Sequence, residues 1–193
     1  MTTIGVLAIQ GDFLEHQKML HLLDVETIEI RLPHELDNID GLIIPGGEST
    51  TITQLIDIYG FRWPLTEKAR SKMPIWGTCA GMIVIANRLS DHRPEPLHIL
   101  DIGVSRNAFG RQADSFETNL EIKQIQGPPF HAIFIRAPIV KDVGRNVTVL
   151  ASINGKGPVA VRQEHLLATS FHPELTNDSR IHKLFAGIVK DYT

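Results

Sequence analysis

Apolar residues recur along this chain in short bursts, and the spacing within each burst changes with position. Residues 3–9 (TIGVLAI) run apolar almost without a break, as a strand covered on both faces does, and stop at Gln10-Gly11-Asp12, a turn that can cap a helix. Residues 13–23 place Leu14, Met19, Leu20, Leu22 and Leu23 closer to helical than to strand spacing. Residues 25–31 (VETIEIR) alternate and predict a strand. Residues 41–44 form another apolar strand, ended by Pro45-Gly46-Gly47. Ser49 is the expected cap of a helix reaching about residue 59, and a second helix spans about 64–71. Ile75-Trp76 is the next strand, and residues 80–88 the next helix.

Short buried strands alternating with helices predict a parallel sheet with helices on both faces. Beyond residue 97 the rhythm changes to strand after strand: 116–125, 131–139, 147–153, 157–163 and 165–171. Residues 178–190 close the chain as an amphipathic helix, with Ile181, Leu184, Phe185 and Ile188 on one face. The fold class is therefore α/β, a mostly parallel central sheet flanked by helices with extra antiparallel strands in the second half. The segment 91–96 (DHRPEP) is too short to serve as a linker between domains, so residues 1–193 read as a single domain.

Composition narrows the function classes. A net charge of −3 implies no nucleic-acid or acidic-membrane partner. No segment approaches the roughly 20 apolar residues of a membrane span. The start, MTTIGVLAIQGD, lacks the pattern of a signal peptide, and a single cysteine excludes an internal disulfide framework. A soluble cytoplasmic protein is expected.

That one cysteine, Cys79, lies in Gly77-Thr78-Cys79-Ala80-Gly81, between a strand and a helix. Gly-x-Cys-x-Gly at such a junction is the spacing of a nucleophile elbow, where small residues two places either side admit a strained turn. A helix opening at Ala80 would turn its N–H groups toward the sulfur, favour a thiolate and hold an oxyanion. The alternative is a small residue packed at a tight turn. A thiol nucleophile in acyl transfer also needs a base and an orienter. Of nine histidines, most (His16 and His21 among them) stand in surface or helix contexts. His172 instead follows an apolar run, in SFHPEL, where a strand should reach the sheet edge. Pro173 favours extended geometry at His172, which would put His172 and Glu174 on one side, the carboxylate holding the imidazole. By itself His-Pro-Glu reads as a solvated turn; Gly-x-Cys-x-Gly upstream in an α/β chain reverses that reading. A third element, Pro45 through Thr51 (PGGESTT), offers backbone N–H groups at a helix start. It lacks the ending of a P-loop, and a second oxyanion donor at Gly47 facing the one at Ala80 is the better use. The histidines are scattered, so no metal site is expected, and no cofactor.

With these motifs in this order the chain resembles the triad (class I) glutamine amidotransferases, and among them the glutaminase subunits of pyridoxal 5′-phosphate synthase. The matching stretches are GVLAIQGDFLEH from Gly5, PGGESTT from Pro45, GTCAGM from Gly77, SRNAFGRQADSF from Ser105, FIRAP from Phe134 and SFHPEL from Ser170. The resemblance implies a flavodoxin-like fold. It makes Cys79 the nucleophile on the side-chain amide of L-glutamine, His172 the proton carrier and Glu174 its orienter. It lines the substrate site with Gly47, Glu48, Ser49, Arg106, Ile135 and Arg136; an arginine suits the substrate's carboxylate. It also implies a partner, a (β/α)8-barrel synthase subunit that takes the ammonia within a hetero-oligomer. Gly46-Gly47 can flip a peptide at little steric cost, and Gln10 at the same sheet edge could touch both partner and oxyanion loop, which makes Gln10 the expected activation residue.

Two other readings stay open on sequence. A γ-glutamyl hydrolase would form the same acyl group. A thiol redox sensor would need Cys79 but not His172 and Glu174 in register.

Overall fold

The computed structural model describes residues 2–91, 93–106 and 115–193. The first half runs β1 (Thr3–Leu7), α1 (Phe13–His21), β2 (Glu26–Ile30), β3 (Gly41–Ile44), α2 (Ser49–Ile58), α3 (Arg62–Arg70), β4 (Ile75–Thr78) and α4 (Ala80–Ile85). Strands then dominate: β5 (Ala86–Leu89), β6 (Leu100–Ser105), β7 (Ser115–Leu120), β8 (Phe130–Ile135), β9 (Ile139–Val143), β10 (Thr148–Ile153), β11 (Gly157–Gln163) and β12 (Leu166–Thr169). A 3-10 turn at Pro173–Leu175 and α5 (Arg180–Tyr192) follow.

Among the described residues the main sheet has seven strands in the order β10-β11-β12-β4-β3-β1-β2. The five from β12 to β2 are parallel, and β10 and β11 add antiparallel at one edge. This is the mostly parallel sheet with later antiparallel strands that the hydrophobic pattern predicts. The parallel strands follow the 2-1-3-4-5 order of flavodoxin-like sheets, whose ligands gather beyond the carboxyl ends of the strands. No helix of the described residues is long and apolar enough to cross a membrane.

Strand alternation builds two cores. Leu42, Ile44, Ile75, Leu166 and Ala168 point to the face covered by α2, α3 and α4. Their neighbours Ile43, Trp76 and Leu167 point to the other face, under α1, α5 and the β7–β8 hairpin. The period of two thus explains why these strands read as unbroken apolar runs: both faces are buried. On the second face Phe134 stacks on Phe116 with centroids 4.6 Å apart and meets Phe171 at 5.5 Å. That aromatic layer lies directly beneath the chain that carries His172.

Several boundaries differ from the sequence expectation, each for a local reason. The helix after Cys79 ends at Ile85 rather than residue 88, because the carbonyls of Val84, Ile85 and Ala86 accept from the backbone N–H groups of Leu97, Ile99 and His98. Residues 86–89 instead pair with β6 as the edge of a second, three-stranded sheet. The run at 131–139 breaks in two around Arg136, which takes a left-handed φ of 42°, and Pro138. The α2 cap is Glu48, whose side chain accepts from the Thr50 N–H at 3.3 Å; Ser49 is the first helical residue.

Phe134→Ala should cost about 3–5 kcal/mol in stability, the usual loss for a buried phenyl ring. Urea denaturation monitored by circular dichroism measures it; a loss below about 1 kcal/mol would mean that the aromatic layer does not support this face.

Candidate active site

The loops that leave β1, β3, β4 and β12 converge at the carboxyl edge of the sheet. Cys79, between β4 and α4, has φ 49° and ψ −105°, a conformation that costs a side-chain-bearing residue about 1–3 kcal/mol. Neighbouring elements hold it there. Its N–H donates to the Thr169 carbonyl of β12 at 2.8 Å, and its own carbonyl accepts from the Met82 N–H at 3.1 Å. A Cβ on Gly81 would overlap the Ile44 carbonyl, and one on Gly77 would overlap the backbone of Gly81. The two glycines of Gly-x-Cys-x-Gly are therefore demanded by sterics, and the turn lifts the sulfur to 3.8 Å from the Ile135 carbonyl oxygen.

His172 is anchored by its N–H, which donates to the Ile133 carbonyl of β8 at 2.8 Å. Its Nδ1 lies 2.7 Å from Glu174 Oε1. The two side chains meet as expected, but not through extended chain: the 3-10 turn at Pro173–Leu175 folds the carboxylate back under the ring. Both residues are buried. Burial works against a charge on His172, yet the neighbouring Cys79 sulfur and the Glu174 carboxylate outweigh it and raise its pKa to about 10. Burial raises the Glu174 carboxyl, with His172 opposing the shift. Gly46 lets the loop after β3 approach, since a Cβ there would stand 2.5 Å from the His172 ring.

A cavity of about 360 Å³ opens over the sulfur. It is lined by Gln10, by Gly47, Glu48 and Ser49 of the loop after β3, by Cys79 and Ala80, by Arg106, and by Ile135, Arg136 and His172. Every residue that the sequence singles out thus borders one space, apart from Glu174, which stands behind His172. Arg106 faces Glu48 at 3.6 Å. The stretch 107–114, which contains most of the motif begun by Arg106, lies outside the described residues. The loop after β3 is tied to the β1 loop at two points. The Gly46 carbonyl accepts from the Asp12 N–H at 3.1 Å, and Gln10 Oε1 accepts from the Glu48 N–H at 3.0 Å.

Sequence reasoning misses two groups here. The Asp12 carboxylate also borders the cavity, 3.6 Å from His172 Nδ1. Its side chain makes no capping bond to α1. Asp12, His172 and Glu174 bring three ligand atoms within 4.8 Å of one another, but His172 Nδ1 is already bonded to Glu174. His16, assigned to a surface or helix context, is on α1 but wholly buried, with Nε2 at 3.4 Å from Glu174 Oε2. Its place in GDFLEH, one helical turn beyond the Asp12 cap, was the only available signal.

Comparison with known proteins gives a consistent result. The model of the SNO glutamine amidotransferase family matches residues 6–191. The pyridoxal 5′-phosphate synthase subunit PdxT of Herpetosiphon aurantiacus is 52% identical over 189 residues, covering 96% of this chain and 100% of that one. The subunit of the same description from Dehalococcoides mccartyi is 53% identical over 191 residues, 98% of each chain. A crystal structure of a glutamine amidotransferase superposes with a TM-score of 0.91 at 44% identity, covering 97% of this chain and 98% of that one. A glutamine amidotransferase of Thermotoga maritima shares the fold at a TM-score of 0.63 and 10% identity, covering 99% and 96%.

The raised pKa of His172 has a sign that can be checked. Its charged form stabilises the folded state fully below about pH 6.5, and that stability is lost as pH rises through about 10. The ring should remain protonated at neutral pH by NMR titration. Cys79→Ser should lower its midpoint, because the neighbouring sulfur is lost. An unchanged midpoint would show that Cys79 and His172 are not paired.

Proposed function

The chain belongs to the SNO glutamine amidotransferase family, and from that membership we propose how its own residues carry the reaction. It is a glutamine amidohydrolase, the glutaminase subunit of pyridoxal 5′-phosphate synthase, and acts with a synthase subunit. The observation that carries the mechanism is the placement of His172, held through Nδ1 by Glu174 and lining the same cavity as Cys79.

In the proposed sequence the Cys79 thiolate attacks the side-chain amide carbon of glutamine. The carbonyl oxygen becomes an oxyanion held by the N–H groups of Ala80 and Gly47. The tetrahedral intermediate collapses as imidazolium His172 protonates the departing nitrogen, which leaves as ammonia. A glutamyl thioester remains on Cys79. His172, now neutral, takes a proton from water, whose oxygen attacks the thioester; glutamate leaves and the thiolate–imidazolium pair returns. Glu174 fixes the ring and stabilises its cation throughout. Arg106 and Arg136 are the cavity's cations for the substrate carboxylate, while Glu48 is its anion for the ammonium. The γ-glutamyl hydrolase and redox-sensor alternatives lose ground to the family assignment.

The finer reading of the partner is a (β/α)8-barrel synthase subunit, docked in a hetero-oligomer over this sheet edge. The proposed setting is the cytoplasm, with residues 1–193 working as one glutamine amidotransferase domain. The two hydrogen bonds that tie residues 46–48 to the β1 loop give docking a handle: a partner that shifts this loop through Gln10 also draws the Asp12 N–H off the Gly46 carbonyl, which frees the peptide between Gly46 and Gly47 to turn its N–H toward the oxyanion. One misdirected oxyanion donor lowers rate by about 10²–10³-fold, so partner activation should be of that order.

Ammonia release from glutamine, assayed with and without the synthase subunit, tests the whole scheme. Cys79→Ser and His172→Ala should each lose about 10³-fold or more, and Glu174→Gln less. Gln10→Ala should blunt activation by the synthase. A Cys79→Ser protein that keeps more than about a tenth of the rate would remove Cys79 from the mechanism, and full activity without the synthase would remove partner control.

A further inference from the structure

Behind Glu174 lies a buried polar file that the reaction as described does not use. His16 on α1 and His182 on α5 are both fully buried, and their rings meet with His16 Nδ1 at 2.9 Å from His182 Nε2. The other nitrogen of His16, Nε2, stands 3.1 Å from Thr78 Oγ1 and 3.4 Å from Glu174 Oε2. Trp76 closes the side of the file edge-on, with its ring centroid 5.5 Å from that of His16 and 4.9 Å from that of His182. The pair joins two helices to the residue just before the nucleophile and to the carboxylate of the Cys-His-Glu set.

The tautomers follow from the far end of the file. His182 Nδ1 is buried with no hydrogen-bond partner among the described residues. A bare nitrogen there costs less than a buried N–H without an acceptor, so the proton of His182 belongs on Nε2. It then donates to His16 Nδ1, which must be the lone-pair side of that ring. The proton of His16 is left on Nε2, aimed at Thr78 Oγ1 and Glu174 Oε2. Oε2 is buried and makes no hydrogen bond among the described residues, while Oε1 is occupied by His172; His16 Nε2, at 3.4 Å, is the donor placed to reach it. One orphan nitrogen on α5 thereby sets the direction of every hydrogen bond as far as the catalytic carboxylate.

We propose that His16 is a positioning residue of the glutaminase reaction: its Nε2–H, directed by His182, holds Oε2 of Glu174 so that Oε1 stays on His172. The inference rests on the glutaminase reading above. Both rings are built to stay neutral. Burial, with His182 and His172 adding to it, pulls the His16 pKa well below the ordinary imidazole range, and burial alone brings His182 to about 3. A neutral donor steadies the carboxylate without competing with His172 as its cation. The titratable groups facing Glu174 are His172 on its own turn and His16 and Asp12 at the α1 end; His182 faces His16 from α5.

The test compares His16→Leu, which removes the donor, with His16→Gln, whose amide N–H₂ can occupy the place of Nε2. Both are assayed for glutaminase with the synthase subunit across pH. Losing a hydrogen bond to the charged carboxylate should move the acidic limb of kcat/KM upward by about one pH unit in His16→Leu. It should lower kcat with little change in KM, since neither His16 nor His182 touches the cavity. His16→Gln should return the limb toward the wild-type position. A uniform loss with an unmoved limb would reduce His16 to a packing residue and overturn the proposal. Two-bond nitrogen–proton NMR of the imidazoles decides the same point without activity. His16 should show protonated Nε2 and bare Nδ1 through neutral pH, and a His16 carrying its proton on Nδ1 would overturn it even if turnover is normal. A wild-type protein with the expected tautomers but no glutaminase activity would instead count against the functional reading alone.

Discussion

The site depends on one unfavourable backbone conformation, that of Cys79. A residue with a side chain does not adopt φ 49° and ψ −105° unless its surroundings leave no other course. Here the surroundings are the middle of a parallel sheet. β4 is flanked by β3 and β12, Cys79 donates to the end of β12, and the two glycines let α4 fold back against β3. The sheet, buried on both faces, supplies the rigidity that the turn needs. The sulfur is presented at the strand ends, where His172 arrives at the end of neighbouring β12. Adjacency of β4 and β12 is thus what brings two motifs 93 positions apart, at 79 and 172, to the wall of one cavity.

Electrostatics then distinguish the two ends of the His172 ring. Toward the cavity it shares a wall with Cys79; toward the core it meets a carboxylate whose charge burial disfavours. Both pKa values are raised, that of His172 because its partners outweigh burial and that of Glu174 because burial outweighs the opposing pull of His172. The His16–His182 pair extends this arrangement inward with neutral rings.

Much of this was legible in the sequence, for physical reasons. Strands covered on both faces read as apolar runs, so β1, β3 and β12 stood out, and the glycines around Cys79 announce the elbow because nothing larger fits. His-Pro-Glu was legible as a pair, although a 3-10 turn rather than extended chain brings its members together. Features set by tertiary contact were not. The early end of α4 depends on strand pairing with residues 97–99. The burial of His16 depends on α5, 166 residues away. Asp12 looked like a helix cap, whereas its carboxylate faces His172.

The central claim is that Cys79, activated by His172, forms the covalent bond to the glutamyl carbonyl carbon. A chloroketone analogue of glutamine, which places an electrophilic carbon at that distance from the amino-acid end, tests it directly in the complex with the synthase subunit. Peptide mass mapping should find one equivalent of label on Cys79, gained in step with loss of glutaminase activity and slowed by glutamine. Inactivation at the same pace with the label on another residue, and Cys79 unmodified, would contradict the account.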